Sequence, residues 1–254
     1  VVSAFKGVTD ALLKLGEMAE KGNKRKVRRG FEALKRQHLE LVEKFISDER
    51  QQSLTRVQVE KHFGELSEKL DSCLSLKVLP PQIKDLIASF GERLSGLILT
   101  DSLRSDGNDA EFVDARKLVK TDDHYGNAAV NFKKTNNRIA KHFRETRKKI
   151  SIVTGFIGSA PNGSTTTLGR GGSDYTGAIF AAALGAKEYQ IWKETNGVET
   201  ADPRLVTGTR TADHLSYAEA KELADGGAKV IHPPTMWPAE EKNIPIHILN
   251  TFDR

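Results

Sequence analysis

Arg170, Ser173 and Asp174 stand among the glycines of GRGGSD, residues 169–174, and their types and spacing suit a site for anionic oxygens. Glycines reach backbone conformations closed to other residues and let the chain approach a ligand closely, so successive N–H groups can converge on negative charge. The Ala-rich stretch from Asp174 to Leu184 reads as a helix, and its positive N-terminal end would add to the cradle. Arg170 brings a planar fork for a carboxylate or phosphate. Asp174 is the odd member, since an acid at an anion site helps only if it positions a lysine, an amine or a metal. The stretch therefore reads as a site for phosphate and something zwitterionic, with a flexible surface loop as the plain alternative. Neither GxxxxGK(S/T) nor a complete GxGxxG occurs in the chain, so a P-loop or dinucleotide fingerprint is not supported.

The elements that must position these groups follow from periodicity. Ile150, Ile152 and Val153 predict a buried strand leading into a Gly-, Ser- and Thr-rich loop. Val1 to Ala4 reads as the end of a parallel strand, and Lys6 to Asp10 as its turn into a helix carrying Leu12, Leu13 and Leu15. Ligands in open α/β sheets sit at such carboxyl ends, which makes Ser3 and Thr9 contact candidates; Thr9-Asp10 as a simple helix cap is the competing reading. Tyr189 to Trp192 predicts a short strand, followed by a turn from Lys193 to Gly197.

From Asn23 to Leu79 the pattern is helical, with stripes Phe31, Leu34, His38, Leu41, Val42, Phe45 and Val59, Phe63, Leu66, Leu70, Cys73. His38 and Cys73 lie on these stripes and are read as packing residues rather than ligands. The basic run Lys24 to Arg29 reads as a solvated helix start. Pro80-Pro81 opens a further helix with Ile83, Leu86, Ile87, Phe90, Leu94 and Leu97 on one face. Glu92 falls off that face, where a glutamate is ordinarily exposed. Glu111 to Ala115 predicts a strand, and residues 128–149 a basic helix. His124, His142, Asp122 and Asp123 match no zinc or calcium spacing, so turn and surface roles are favoured and no metal ligands are assigned.

The 254 residues, 38% hydrophobic and 29% charged, suit one large α/β domain with a helical excursion. A formal net charge of +5 fits anionic nucleotides. The basic residues are scattered among acids without interleaved aromatics, so no nucleic-acid partner is expected. The single cysteine excludes an internal disulfide and suits a reducing cytoplasm. No run of about 18 apolar residues predicts a membrane span.

TTLGRGGSDYT, IWKETNGVETADPR and GAKVIHPPTM, with VVSAFKGVTD, FGERLS, VDARKLVKTDDHYGNA and IPIHILNTF in matching order, resemble the aspartate kinase branch of the amino acid kinase family. The resemblance covers most of the chain and is weakest in the helical stretch, residues 21–79. It implies a three-layer α/β/α sandwich around a mainly parallel sheet, residues 1–254 forming one catalytic domain with a helical insertion. The activity implied is transfer of the γ-phosphoryl of ATP, with Mg2+, to the side-chain carboxylate of L-aspartate, in a cytoplasmic homo-oligomer. Lysine, threonine and methionine biosynthesis would draw on the product. Carried over to matching positions, Thr9 contacts the amino acid beside Ser3, Glu92 holds its ammonium, Arg170 grips a carboxylate, and Gly171, Gly172 and Ser173 complete the pocket.

The nucleotide side by the same resemblance comprises Lys193, Glu194, Glu199, Arg204, Lys229 and Val230, while Asp174 organises the cations around the transferred group. A carboxylate is already ionised at neutral pH, so such a site needs alignment and charge neutralisation rather than a strong base. Several positions depart from the family pattern, namely Lys193-Glu194 for Thr-Asp, Glu199 for an aromatic or aliphatic residue, Asp225-Gly226 for Tyr-Phe, and Pro234 for Arg. The family's lysine-bearing first strand and its C-terminal regulatory domains have no counterpart in these residues. Kinases of N-acetylglutamate, glutamate or UMP, and a catalytically impaired binding module, are the alternatives.

Overall fold

The computed structural model describes residues 1–200, 206–225 and 235–253. Its first third is helical, with α1 (Val8–Glu20), α2 (Lys24–Phe45), α3 (Glu49–Leu76) and α4 (Pro81–Ser105). Local chemistry starts two of them. Asn23 accepts from the Lys26 N–H at 3.2 Å to cap α2, and Asp48 accepts from the Gln51 N–H at 2.7 Å to cap α3. The helical pattern over 23–79 is thus broken at Ile46–Asp48, where Ser105 Oγ accepts the Ser47 and Asp48 N–H groups at 3.1 and 2.9 Å. Both predicted stripes face the core, with His38 and Cys73 buried. Phe45 is the exception: it is exposed, because the chain turns at the helix end and Ile46 takes the buried place.

Helix α4 departs from the one-faced helix that its stripe predicts, for it is buried without interruption from Ile87 to Ile98. Its large residues Ile87, Phe90 and Leu94 join the α1–α3 core. Its small residues admit neighbours on the other side: a side chain at Gly96 would meet the Phe112 ring at 2.7 Å, and one at Gly91 would meet Ala4 Cβ at 2.7 Å. Two buried hydroxyls on α4 are satisfied within the helix, Ser89 Oγ donating to the Leu86 carbonyl and Thr100 Oγ1 to that of Gly96, each at 2.7 Å.

The strands lie beyond α4. β1 (Ala110–Val113) runs parallel to β2 (Ile150–Val153), with Phe112 opposite Ile152. Val2 pairs in parallel with Thr154 at the carboxyl end of β2. The crossover from β1 to β2 contains α5 (Phe132–Glu145), shorter than predicted at both ends because Asn131 caps it and Thr146 is extended. Side chains alternate along a strand. Phe112 accordingly faces α4, whereas Val113 and Val153 pack with Ile139 of α5 and with Ile179 and Phe180 of α6 (Gly172–Leu184). Helices therefore cover both faces of the parallel strands.

Between β2 and α6 the Gly-, Ser- and Thr-rich stretch is not simply a loop. It contains an antiparallel hairpin, β3 (Ile157–Ser159) with β4 (Thr165–Thr167), all of whose residues are buried. A second parallel pair, β5 (Tyr189–Lys193) with β6 (Ile246–Asn250), follows α6, with α7 (Tyr217–Asp225) and α8 (Trp237–Glu240) between them in sequence. No helix among the described residues is long and apolar enough to cross a membrane.

Asp85, on α4, ties the hairpin down. Its Oδ2 accepts the N–H groups of Gly126 at 2.9 Å and Thr167 at 2.7 Å, and its Oδ1 accepts from Thr167 Oγ1 at 3.1 Å. Asp85→Ala leaves these buried donors unpaired and is expected to cost about 2–4 kcal/mol. Urea denaturation checks this: the midpoint should fall with an unchanged slope.

Candidate functional site

A cavity of about 480 Å³ forms where the segment Ser3–Asp10, which runs into α1, the turn after β2 and the start of α6 meet. Backbone pairing brings them together: the Val2 N–H donates to the Val153 carbonyl at 2.9 Å and the Gly155 N–H to that of Val2 at 2.8 Å. Parallel strands thus end side by side, and the segments that leave them share one mouth. From below, Ser95 Oγ on α4 donates to the Ser3 carbonyl at 2.6 Å. Ser3 itself is exposed at the rim. Thr9 lies in the first turn of α1 and lines the cavity; the helix cap is Gly7, so Thr9-Asp10 do not cap it.

Glu92 overturns the expectation of an exposed helix glutamate, being 3% accessible. The absence of a side chain at Gly91 lets α4 approach Ala4, whose N–H donates to Glu92 Oε1 at 3.3 Å. Its other oxygen, Oε2, is buried and has no hydrogen-bond partner among the described residues. Burial pushes the carboxyl up to about 7, partly offset by the Ala4 hydrogen bond. An unpartnered, buried carboxylate oxygen lining a cavity suits a positively charged hydrogen-bond donor, which would hold it ionised.

The opposite wall is the N-terminus of α6. Gly171, in the left-handed region at φ 70°, is its cap residue, and no side chain among the described residues caps the helix. The Gly172 N–H donates to the Gly169 carbonyl at 3.1 Å, and the N–H groups of Ser173 and Asp174 that follow lack intrahelical acceptors. Gly169, Gly171, Gly172, Ser173 and Asp174 line the cavity. Phe156, at φ 66°, braces the turn: its N–H donates to Thr176 Oγ1 at 3.0 Å and its carbonyl accepts from the Leu168 N–H at 2.9 Å. Arg170, by contrast, is exposed and does not line the cavity.

Lys193, at the end of β5, enters the same cavity, and its Nζ donates to Asp174 Oδ2 at 2.9 Å. The Tyr189 hydroxyl donates to the Asp174 carbonyl at 3.0 Å, and burial first, then the Asp174 charge, hold that phenol far above its ordinary range. Tyr189 reaches this position only because Gly177 carries no side chain in its path. Asp174 is therefore held at both backbone and carboxylate, with a cation in hand, as a positioning acid would be.

The remaining candidates are more dispersed. Glu194 accepts from Lys6 Nζ at 3.0 and 3.2 Å. Glu199 sits at an antiparallel bridge with Thr211, whose Oγ1 donates to it at 3.0 Å. Arg204, Lys229 and Val230, with Gly226 and Pro234, lie outside the described residues. A second cavity of about 480 Å³ borders the turn after β5 and is lined in part by Asn196, Gly197, Val198, His214 and Leu249. Lys6, Asp10 and Phe156 line the first cavity without having been singled out from sequence. Lys6 could have been found as a cation directly before the glycine that ends a strand turn. Nothing local marks Asp10 or Phe156.

A sequence profile of the amino acid kinase family matches residues 1–250. The chain is 33% identical over 254 residues to lysine-sensitive aspartokinase 3 of Escherichia coli (strain K12), covering 100% of this chain and 55% of that protein. It is 33% identical over 261 residues to the chloroplastic aspartokinase 2 of Arabidopsis thaliana, covering 100% of this chain and 46% of that protein. Among solved structures, E. coli aspartokinase III in complex with aspartate and ADP superposes with a TM-score of 0.90 at 32% identity, over 100% of this chain and 55% of that one. The chain thus spans about half the length of these relatives.

Proposed function

Because the chain belongs to the amino acid kinase family, we propose that it is the catalytic portion of an aspartate kinase. The observation that carries this reading is the buried, unpartnered Oε2 of Glu92 in a cavity shared with a helix N-terminus. A zwitterionic amino acid satisfies both walls at once. Its ammonium meets Glu92, and its carboxylates meet the N–H groups of Ser173 and Asp174 with the Ser173 and Thr9 hydroxyls. The relatives named aspartokinases, and the solved neighbour holding aspartate and ADP, support the choice of aspartate.

Phosphoryl transfer then needs little covalent chemistry from the protein. A side-chain carboxylate oxygen of L-aspartate forms a bond to the γ-phosphorus of ATP as the bond to the bridging oxygen breaks, and ADP leaves with the electron pair. Lys193, fixed by Asp174, neutralises charge on the transferred group, and the α6 N–H groups hold the acceptor in line. Asp174 is a cavity carboxylate that would hold magnesium at the phosphates, and the ion would supply further charge neutralisation. Arg170, exposed beside the cavity, would close on the acceptor's carboxylate once bound. Arg204, Lys229, Val230 and Glu199 complete the nucleotide side in the same reading, as do one catalytic domain over 1–254, a homo-oligomeric state and a cytoplasmic location.

The test is ADP release with ATP and magnesium across L-aspartate, N-acetylglutamate, glutamate and UMP. A response to aspartate alone is expected. A response to another acceptor in its place overturns the substrate reading, and silence with retained ATP binding turns it to a binding module.

A further inference from the structure

We propose that Lys6 is a phosphate-binding residue of this site, a cation that exchanges Glu194 for the terminal phosphate of the nucleotide. The inference rests on the kinase reading above and assigns a residue that neither the sequence motifs nor the family resemblance singled out. Its basis is a charge imbalance. Among the described residues, the cavity lining carries two lysines, Lys6 and Lys193, against three carboxylates, Asp10, Glu92 and Asp174. A phosphoanhydride and an acceptor carboxylate would both enter this environment, so each cation matters to their approach.

Lys193 is already joined to Asp174 at 2.9 Å, with both side chains about three-quarters covered. Lys6 differs. Its partner Glu194 does not line the cavity, and the two side chains are 86% and 64% exposed. Exposed ion pairs of this kind hold weakly, and a lysine ammonium on a flexible stem redirects without loss of packing. The backbone that carries it is fixed, being joined to the end of β2 through Val2 and followed directly by α1. Glu194 lies in the turn after β5, next to Lys193. The Lys6–Glu194 pair therefore bridges the loop holding the amino-acid contacts and the turn holding the nucleotide contacts. A multiply charged phosphate placed between these segments offers Lys6 a stronger partner than one solvated carboxylate.

The experiment compares the full-length gene product with its Lys6→Met, Lys6→Arg and Glu194→Gln variants. A non-hydrolysable ATP analogue and ADP, each with magnesium, are titrated by calorimetry at two salt concentrations, and kcat and KM are measured with aspartate. Lys6→Met is expected to weaken the triphosphate about 10-fold or more while changing ADP affinity less than 3-fold, and to lower kcat by about 30-fold, with Lys6→Arg restoring most of both. Glu194→Gln, by removing the competing carboxylate, should tighten the triphosphate a few-fold. Unchanged triphosphate affinity in Lys6→Met, equal loss for ADP and triphosphate, or a Glu194→Gln variant as impaired as Lys6→Met overturns the proposal; the last result makes the pair a structural clasp. The binding arm needs no aspartate. A Lys6-dependent preference for triphosphate in a protein inert toward aspartate upholds the Lys6 assignment and sinks the substrate reading, whereas Lys6-indifferent turnover of aspartate does the reverse.

Discussion

Glu92→Gln is expected to lower kcat/KM for L-aspartate by about 100-fold or more, chiefly through KM, while ATP affinity changes little. The charge-assisted bond to the substrate ammonium is lost in a buried position, where such bonds are worth about 1.5–3 kcal/mol or more. Gln keeps the shape and an oxygen for the Ala4 N–H, so the fold should hold.

Stability separates this reading from a structural role for Glu92. Its folded pKa is raised, from 4.5 to about 7, so the stability it contributes is full below about pH 4.5 and is lost as the pH rises through about 7. The bound on that loss is about 3 kcal/mol. Glu92→Gln carries no such titration, and its melting temperature relative to the parent should improve between pH 5 and pH 8. Substrate reverses the sign. An ammonium beside Oε2 favours the ionised carboxylate, so aspartate affinity should rise with pH up to about 7 and then level, with proton release on binding near neutrality. Calorimetry in buffers of different ionisation enthalpy measures that release. Binding without proton release, or full kcat/KM in the Gln variant, would remove Glu92 from the site.

The second large effect is expected at Asp174. Asp174→Asn should lower kcat by about 100- to 1,000-fold and change KM for aspartate only a few-fold, because Lys193 loses the carboxylate that aims it. Lys193→Met should have an effect of similar size. If the two act as one unit, the double variant will be hardly worse than either single one, which a double-mutant cycle measures. Full turnover in Asp174→Asn would sink the assigned role. The backbone contact from Tyr189 does not involve the replaced atoms, so a change in melting temperature beyond a few degrees is not expected.

Sequence alone determined the local parts of this protein. GRGGSD had to be a turn into a helix, since its glycines take positive φ at Gly169 and Gly171 and the Ala-rich run that follows is helical. The stripes through His38 and Cys73 had to be buried, because their spacing puts them on one helix face. Family motifs suggested the roles proposed for Glu92 and Asp174, which periodicity could not supply.

Tertiary structure decided what those residues experience. Glu92 lies off the apolar stripe of α4, so nothing local distinguishes it from a solvated glutamate; it is buried because Gly91 lets Ala4, in the segment before α1, and Gly96 lets Phe112 of β1 close over the second face of the helix. The Thr-rich loop became a buried hairpin for a similar reason, Asp85 on α4 satisfying a hairpin N–H and hydroxyl. Lys6, Asp174 and Lys193 meet at one cavity only because parallel strands end together, and the sequence separations of Lys6–Glu194 and Lys193–Asp174, 188 and 19 residues, carry no trace of it. Periodicity records which face of an element is apolar; which other elements close over it, and so which charges lose their water, is settled by packing.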